Sequence, residues 1–368
     1  MNIVIDLTSL SYHMTGIERY AACVTEQMLE QDLLNEYCLI FREQVYSIFE
    51  KYIDNQRVKA YVLHGNNKVL FYQLILPWNL KKIKADIFLF FAFTSPIFFK
   101  AKGIYNTIHD MGAWDSADTM KLFQKIYWRL TIRCSANNSK ELFTVSNFSK
   151  KRIAQILKYP EDKINVVNSA VYKGVTKKSK RPFEEIRAKY KLPNTYIMSL
   201  STLEPRKNTK LLLEAFSNVQ DKVNYDLVLV GRKGWKMDEV IEKYNSKSKI
   251  HMTGFADDED VAEIYRNAIC FVFPSLYEGF GLPPVEALAL GTPVISSDAA
   301  SLPEVLMDRA IYFKNNDIEA LQQLLESLGK IRSSMPCELN DYQKNNYTFE
   351  TAAKKVLNVI QNENINIK

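Results

Sequence analysis

The sequence predicts an α/β protein with two doubly wound parallel sheets in tandem. Three observations carry that expectation. The chain has 368 residues, long for one hydrophobic core and ample for two. Short apolar runs alternate with helical patterns along both halves, the pattern of parallel strands joined by covering helices. Between the halves the alternation stops at a lysine-rich stretch, Tyr172 to Arg181, which reads as a linker.

In the first half, Ile3-Val4-Ile5 reads as a strand and Gly16 opens a helix through Arg19, Tyr20, Cys23 and Met28. Further strands are expected at Tyr37 to Phe41, Lys59 to Leu63, Ile87 to Phe91, Ile104 to Ile108, Leu142 to Val145 and Ile164 to Val167. In the second half, Tyr196 to Leu200, Asp226 to Val230, Cys270 to Phe273 and Pro293 to Ser296 read as strands. Helices fit at Asn208 to Asn218, Asp258 to Asn267 and Asp317 to Ile331. The division is 1–172 for an N-terminal domain and 182–347 for a C-terminal one. The remaining 348–368 hold a helix from Thr348 to about Ile360 that returns to the first domain or stays with the second. Such sheets bind ligands at the carboxyl ends of their strands, so two facing sheets are expected to hold a ligand in the cleft between them.

Composition narrows the function. A net charge of +6 is too small and too spread out for duplex nucleic acid, which needs a concentrated basic face. It suits anionic diphosphates or an anionic membrane surface. The five cysteines are scattered and never form C-x-x-C, which fits reduced thiols in a cytoplasmic protein. Met1 to Asp6 runs straight into an apolar strand, so no signal peptide is expected. The most apolar stretch, Ile83 to Phe99, is broken by Lys84, Asp86, Ser95 and Pro96, so no membrane span is expected. Four histidines and five cysteines offer no zinc spacing. The acidic run Asp257-Asp258-Glu259-Asp260 opens a helix, where acids need no metal to explain them.

The most informative stretch is Phe271 to Val294, FVFPSLYEGFGLPPVEALALGTPV. A buried strand ends at Phe273, and Gly279-Phe280-Gly281 lets backbone N–H groups approach a ligand. Pro283 then starts a helix. Glu278 on the loop and Glu286, read as lying in that helix's first turn, are separated by seven residues. A carboxylate here can accept hydrogen bonds from a ribose diol. A lone Glu286 would equally serve to complement the helix dipole.

This composite resembles the donor-site motif of retaining glycosyltransferases of the GT-B fold, family four (group 1), such as bacterial mannosyl- and rhamnosyltransferases of surface polysaccharide synthesis. The resemblance implies two Rossmann-like domains facing across a cleft. It implies that Glu286 holds the nucleotide ribose, and that Glu278, Gly279, Phe280, Gly281 and Leu282 face the transferred sugar and diphosphate. It extends to Ser201-Thr202-Leu203-Glu204-Pro205-Arg206-Lys207-Asn208, similar to the family's phosphate-binding element. Two cations at a helix start suit an anionic diphosphate, on which leaving-group charge develops. Some relatives carry another Arg five residues earlier. Ser201 stands there in this chain, so the clamp rests on Arg206 and Lys207.

Thr15-Gly16-Ile17-Glu18-Arg19-Tyr20 looks like the family's glycine loop, with Gly16 approaching the donor from the opposite domain; an ordinary helix start is the competing reading. Thr107-Ile108-His109-Asp110 ends a strand, and the resemblance places His109 near the reacting sugar. The competing reading is a plain hydrogen-bonded histidine. Gly231-Arg232-Lys233-Gly234-Trp235 resembles a loop near the nucleotide base, or is a turn whose tryptophan covers the core. The implied catalytic set is His109, Arg206, Lys207 and Glu278. Neither cofactor nor metal is expected, the nucleotide sugar being a substrate.

The implied partners are a nucleotide-sugar donor and a glycan acceptor carried on lipid or polysaccharide. Phe71-Tyr72, Trp78, Lys81-Lys82, Lys84 and Trp128-Arg129 mix aromatic and basic character. They read either as helices packed on the core or as a membrane contact, which puts the protein in the cytoplasm or on the inner membrane face. Two other classes compete with a hexosyltransferase using a GDP-mannose-like donor. A nucleotide-sugar epimerase would need acid–base groups beyond His109. An inactive nucleotide-sugar-binding subunit would have no use for the intact motif residues.

Overall fold

A computed structural model describes residues 1–368 except 13, 54, 55, 236, 246 and 366–368, and the side chains of 245 and 362–365 are likewise not described. The last three residues of the 348–368 segment therefore lie outside the described residues. The chain forms two compact units. The first comprises Met1–Trp114, Met120–Ala170 and Asn345–Lys368, the second Asp115–Thr119 and Val171–Lys344.

The first unit is built on seven parallel strands: β1 (Asn2–Asp6), β2 (Glu36–Arg42), β3 (Val58–Leu63), β4 (Ile87–Phe90), β5 (Ile104–Thr107), β6 (Glu141–Thr144) and β7 (Ile164–Val166). Their spatial order is β3-β2-β1-β4-β5-β6-β7. The central strands have apolar middles because helices cover both faces: Ile3, Ile5, Leu39 and Leu89 are fully buried. Helix Gly16–Gln31 follows β1. The final helix, Phe349–Ile365, packs on it, and Gln31 donates to the carbonyl of Glu350 at 3.0 Å. After β3 the chain runs as one helical stretch through Lys68–Leu70, a π-turn over Phe71–Ile75, and Leu76–Leu80. Pro77 has no N–H to close onto residue 73, and the helix widens just before it.

The second unit repeats the plan with β8 (Tyr196–Leu200), β9 (Asp226–Val230), β10 (Ile250–Gly254), β11 (Cys270–Phe273), β12 (Val294–Ser297) and β13 (Ala310–Phe313). Their order is β10-β9-β8-β11-β12-β13, all parallel. The winding direction reverses between β8 and β11. Loops leaving two such neighbours diverge to opposite faces and open a crevice, the usual ligand position in an open α/β sheet.

Two sequence expectations need correction, and a third needs an addition. The stretch Tyr172 to Arg181 is not an uncommitted linker. It contains the helix Lys173–Thr176, whose Val175 is buried. Arg266 donates to the carbonyl of Thr176 at 2.6 Å, and Arg181 pairs with Asp260 at 2.8 Å. Asp260, in turn, does more than favour a helix start. Its buried carboxylate also takes Lys189 at 2.8 Å and the Tyr190 hydroxyl at 2.9 Å, bolting helix Phe183–Tyr190 to helix Asp258–Arg266. Third, helix Leu282–Ala289 begins late enough that Glu286 falls in its second turn, with no acidic residue in the first. Dipole complementation is therefore a poor account of Glu286, since the effect fades beyond the first turn.

Candidate active site

The sheet order explains which loops meet. The loop after β8 lies between those after β9 and β11, as β8 lies between those strands. On one side, Leu203 N–H donates to the Arg232 carbonyl and Gly234 N–H to the Leu203 carbonyl, both at 2.9 Å. The contact is tight enough to require glycine. Gly231 has φ +135°, and a Cβ there would lie 1.9 Å from the Ser201 carbonyl oxygen. On the other side, Leu276 N–H donates to the Arg206 carbonyl at 2.9 Å. Three loops thus form a continuous rim at the carboxyl end of the sheet.

Glu278 lies at the centre of this rim, buried, and its partners are the two predicted cations. Lys207 Nζ lies 2.6 Å from its Oε1, and Arg206 Nη1 lies 3.3 Å from its Oε2. The Ser275 hydroxyl donates to Oε1 at 2.6 Å. Arg206 is fixed further by the Tyr277 carbonyl at 2.9 Å and by Glu204 at 3.1 Å. The Ser301 hydroxyl holds the Glu278 carbonyl at 3.0 Å. Burial pushes the Glu278 carboxyl up, but Lys207 and Arg206 outweigh it and hold the group below the usual carboxylate range. Burial pushes the Lys207 ammonium below its ordinary value, with Glu278 pulling the other way. The result is a part-buried cluster of two cations and two carboxylates, with Glu278 the most enclosed.

Gly279 and Phe280 continue the loop, both buried. Gly281 caps the helix in a left-handed conformation, φ +92°, where a Cβ would lie 2.5 Å from the Leu302 side chain. Leu282 is the first helical residue and Glu286 is half-buried on the same helix. Burial raises the neighbouring Tyr265 hydroxyl well above its ordinary range, and the charge of Glu286 adds to it. The phenol stays neutral and donates to the Pro283 carbonyl at 3.2 Å. Arg232 and Lys233 are exposed. Arg232 stacks at 4.4 Å on the ring of Phe255, and Lys233 pairs with Asp238.

His109 and Gly16 belong to the first unit. His109 follows β5, and its Nε2 lies 2.8 Å from the Phe91 carbonyl, just after β4. A carbonyl only accepts, so a neutral ring carries its proton on Nε2. Burial pushes its pKa below the ordinary value. The ring packs edge-on against Tyr20 at 5.1 Å. Gly16 is the exposed first residue of its helix, and the helix start is closed by Thr15 N–H donating to Glu18 at 2.6 Å.

The structure therefore brings Arg206, Lys207 and Glu278 into one cluster, and adds Glu204, Ser275, Tyr277 and Ser301, to which sequence reasoning gave no role. Glu204 lay in plain sight within the phosphate-element motif. Ser275 and Ser301 carried no signal, because only the sheet order makes them neighbours of Glu278. Among the described residues, no group of three or more His, Cys, Asp or Glu side chains could hold a metal ion.

The fold is that of solved GT-B glycosyltransferases. The family model for glycosyl transferases group 1 matches residues 182–348, most of the second unit. The chain is similar to the O-antigen chain mannosyltransferase B of Escherichia coli, with 28% identity over 350 residues, 89% of this chain and 91% of the relative. Two solved structures share the fold. WaaG, a glycosyltransferase involved in lipopolysaccharide biosynthesis, matches with TM-score 0.73 at 13% identity over 98% of this chain and 100% of its own. Anabaena HepE in complex with UDP and glucose matches with the same TM-score, 0.73, at 13% identity over 98% and 100%.

Proposed function

We propose that this chain is a retaining hexosyltransferase acting on a nucleotide sugar, with a GDP-mannose-like donor, in O-antigen, capsule or related surface-glycan synthesis. The acceptor is lipid-linked or polysaccharide, met at the inner membrane face. The observation that carries the reading is the Lys207–Glu278–Arg206 cluster at the point where the second sheet reverses. The relative's name, a mannosyltransferase of the O-antigen chain, supports the donor and the pathway class.

In this reading, Arg206 and Lys207 receive the diphosphate. As the glycosidic bond breaks, negative charge grows on the leaving phosphate, and two cations already part-buried and oriented stabilise it without reorganising. They supply the positive charge that a metal would otherwise bring, so turnover needs none. Glu278 holds the cations and meets the sugar when the donor is bound. Gly279, Phe280, Gly281 and Leu282 present backbone to the donor, Glu286 takes the ribose hydroxyls, and Arg232 and Lys233 lie toward the base. In the first unit Gly16 approaches the donor. His109, neutral and proton-bearing on Nε2, stands beside the transferred sugar. The departing diphosphate helps accept the acceptor's proton on the face it leaves, which retains the anomeric configuration.

Incubation of GDP-mannose with acceptor, followed by NMR of the product's anomeric proton, tests the reaction. Transfer with a retained configuration in the presence of EDTA is expected. An inverted linkage, or activity abolished by EDTA and restored by magnesium or manganese, contradicts it.

A further inference from the structure

A buried acid in the first unit has no part in the chemistry described so far. Asp6 ends β1, where the strand order of the first sheet reverses between β1 and β4, and is 3% exposed. Among the described residues no cation pairs with it; its partners are Thr8 and Tyr72. Thr8 gives Oδ1 two hydrogen bonds, from its N–H at 3.1 Å and its hydroxyl at 2.7 Å. Oδ2 lies 3.0 Å from the Tyr72 hydroxyl. The same phenol oxygen lies 3.0 Å from the Thr94 carbonyl.

An ionised acid leaves this arrangement one proton short. A phenol has a single proton to give. With Asp6 a carboxylate, that proton goes to Oδ2 or to Thr94, and the other oxygen faces the phenol with no hydrogen between them. With a proton on Oδ2, every group is satisfied: Asp6 donates to Tyr72, and Tyr72 donates to Thr94. Oδ1 is then the carbonyl oxygen, and its two lone pairs take the two Thr8 donors. Burial works in the same direction. It raises the Asp6 pKa, and the hydrogen bonds from Thr8 and Tyr72 only partly oppose it.

This chain of hydrogen bonds ends on a loop that bears on His109. Tyr72 lies in the π-turn Phe71–Ile75, and its neighbour Gln73 accepts from Ile97 N–H at 2.9 Å. Two consecutive side chains of the turn thus hold the loop after β4, and π-turns of this kind recur at functional sites. Asn106 on β5 adds a third hold, taking the Ser95 N–H at 2.5 Å. Phe93 in the loop packs edge-on against Tyr72 at 6.4 Å and 5.6 Å from the Trp128 ring. Of the aromatic residues the sequence picks out, Tyr72 and Trp128 therefore pack around this loop, and Phe71 is buried. The loop begins at Phe91, whose carbonyl holds His109 Nε2 at 2.8 Å.

We propose that Asp6 is a protonated, neutral acid in the folded protein, and that Asp6 and Tyr72 are positioning residues: they fix the loop after β4 so that the Phe91 carbonyl keeps His109 in its Nε2–H tautomer. Nδ1 is then the nitrogen left to accept a hydrogen bond. The part His109 plays rests on the proposed function; the proton on Asp6 does not.

Stability across pH, read with NMR, tests it. An acid with a raised folded pKa contributes stability in full below the unfolded value, about 3.9, and loses it as pH rises through the folded value. Asp6→Asn keeps a donor and an acceptor in the same places but has no proton to lose. Its melting temperature should exceed that of wild type at about pH 7, by a margin that shrinks as pH falls toward about 4. NMR of isotope-labelled aspartate should show a carboxyl still protonated at about pH 7 that is missing from Asp6→Asn. Tyr72→Phe breaks the chain, so nitrogen NMR should show His109 in mixed tautomers, and kcat should fall roughly threefold to tenfold with KM little changed. Asp6→Ala should behave like Tyr72→Phe, and Asp6→Asn should keep the wild-type tautomer. An Asp6 carboxyl ionised at about pH 7, or an Asp6→Asn protein less stable than wild type there, overturns the proposal. So does a folded Tyr72→Phe protein in which His109 keeps the wild-type tautomer. A shifted tautomer with unchanged kcat counts instead against the role of His109 in the proposed function. If the wild-type protein transfers no sugar, the proposed function fails, and the melting curves and NMR still decide the state of Asp6 and of His109.

Discussion

Arg206 and Lys207 in the second unit and His109 and Gly16 in the first all lie at the carboxyl ends of parallel strands, yet they meet different surroundings. The second-unit cations are part-buried and held by carboxylates at 2.6 to 3.3 Å. The first-unit histidine is neutral, satisfied by one backbone carbonyl and packed on a tyrosine ring. Gly16 is exposed at a helix start closed by its own capping residues. The comparison separates two kinds of preparation. The second-unit cluster stores electrostatic work in the folded state, as a charged group that would be costly to bury without its partners. The first-unit residues store only orientation.

The largest expected effect lies in the charged cluster. Lys207→Ala should lower kcat by roughly 10²–10³, about 2.7–4 kcal/mol, the scale for removing one preorganised group from a developing charge. It should also destabilise the fold, because Glu278 keeps only Arg206 and Ser275. Losing one partner of a buried pair costs up to about 3–5 kcal/mol when nothing replaces it. Steady-state kinetics and thermal unfolding read the two effects separately. A folded variant with kcat within about threefold of wild type would sharpen the comparison in the opposite direction, making the cluster purely structural.

Glu286→Ala comes next. A carboxylate bound to ribose acts equally in ground and transition states, so KM should rise more than kcat falls. The cost should be about 1.5–3 kcal/mol of affinity for free nucleoside diphosphate, read by calorimetry. Unchanged affinity would remove the ribose assignment. Gly281→Ala should destabilise by about 1–3 kcal/mol, because alanine there needs a positive φ and pushes against the buried Leu302. A melting temperature equal to wild type would show that the loop relaxes freely.

The smallest effect is a pH dependence at His109. Burial depresses its folded pKa, so the unfolded chain binds the proton more readily. Stability should therefore fall as pH drops below about 6.5, the ordinary value, and His109→Gln should flatten that part of the curve. Glu278 works in a lower window. Its depressed pKa contributes stability that is present above about 4.5 and lost as pH falls through the folded value. Glu278→Gln should remove that acid limb. Urea unfolding across pH 3–8 measures both.

Most of the fold is legible in the sequence because buried parallel strands read as short runs of β-branched and aromatic residues. The two strands that escape notice, β10 and β13, are the edges of the second sheet. Their residues are largely half-buried, and β10 interleaves His251 and Thr253 with its apolar positions, so neither reads as a buried run. The late start of the helix carrying Glu286 escapes notice as well. Tandem prolines suggest a beginning without fixing which residue is the cap, and Gly281 takes that place through its left-handed backbone. The site is legible as a set of motifs but not as a cluster. Lys207 and Glu278 are 71 positions apart, and nothing short of the strand order β8-β11 puts an ammonium on that carboxylate.

The most direct test of the central claim, that Glu278 holds Lys207 in place for the departing diphosphate, is the double variant Lys207→Ala with Glu278→Gln. Removing both charges leaves no carboxylate short of a partner. The melting temperature should therefore recover toward wild type, while kcat stays down by roughly 10²–10³. Recovery of turnover along with stability would contradict the claim, because the cation would then serve only to neutralise a buried carboxylate.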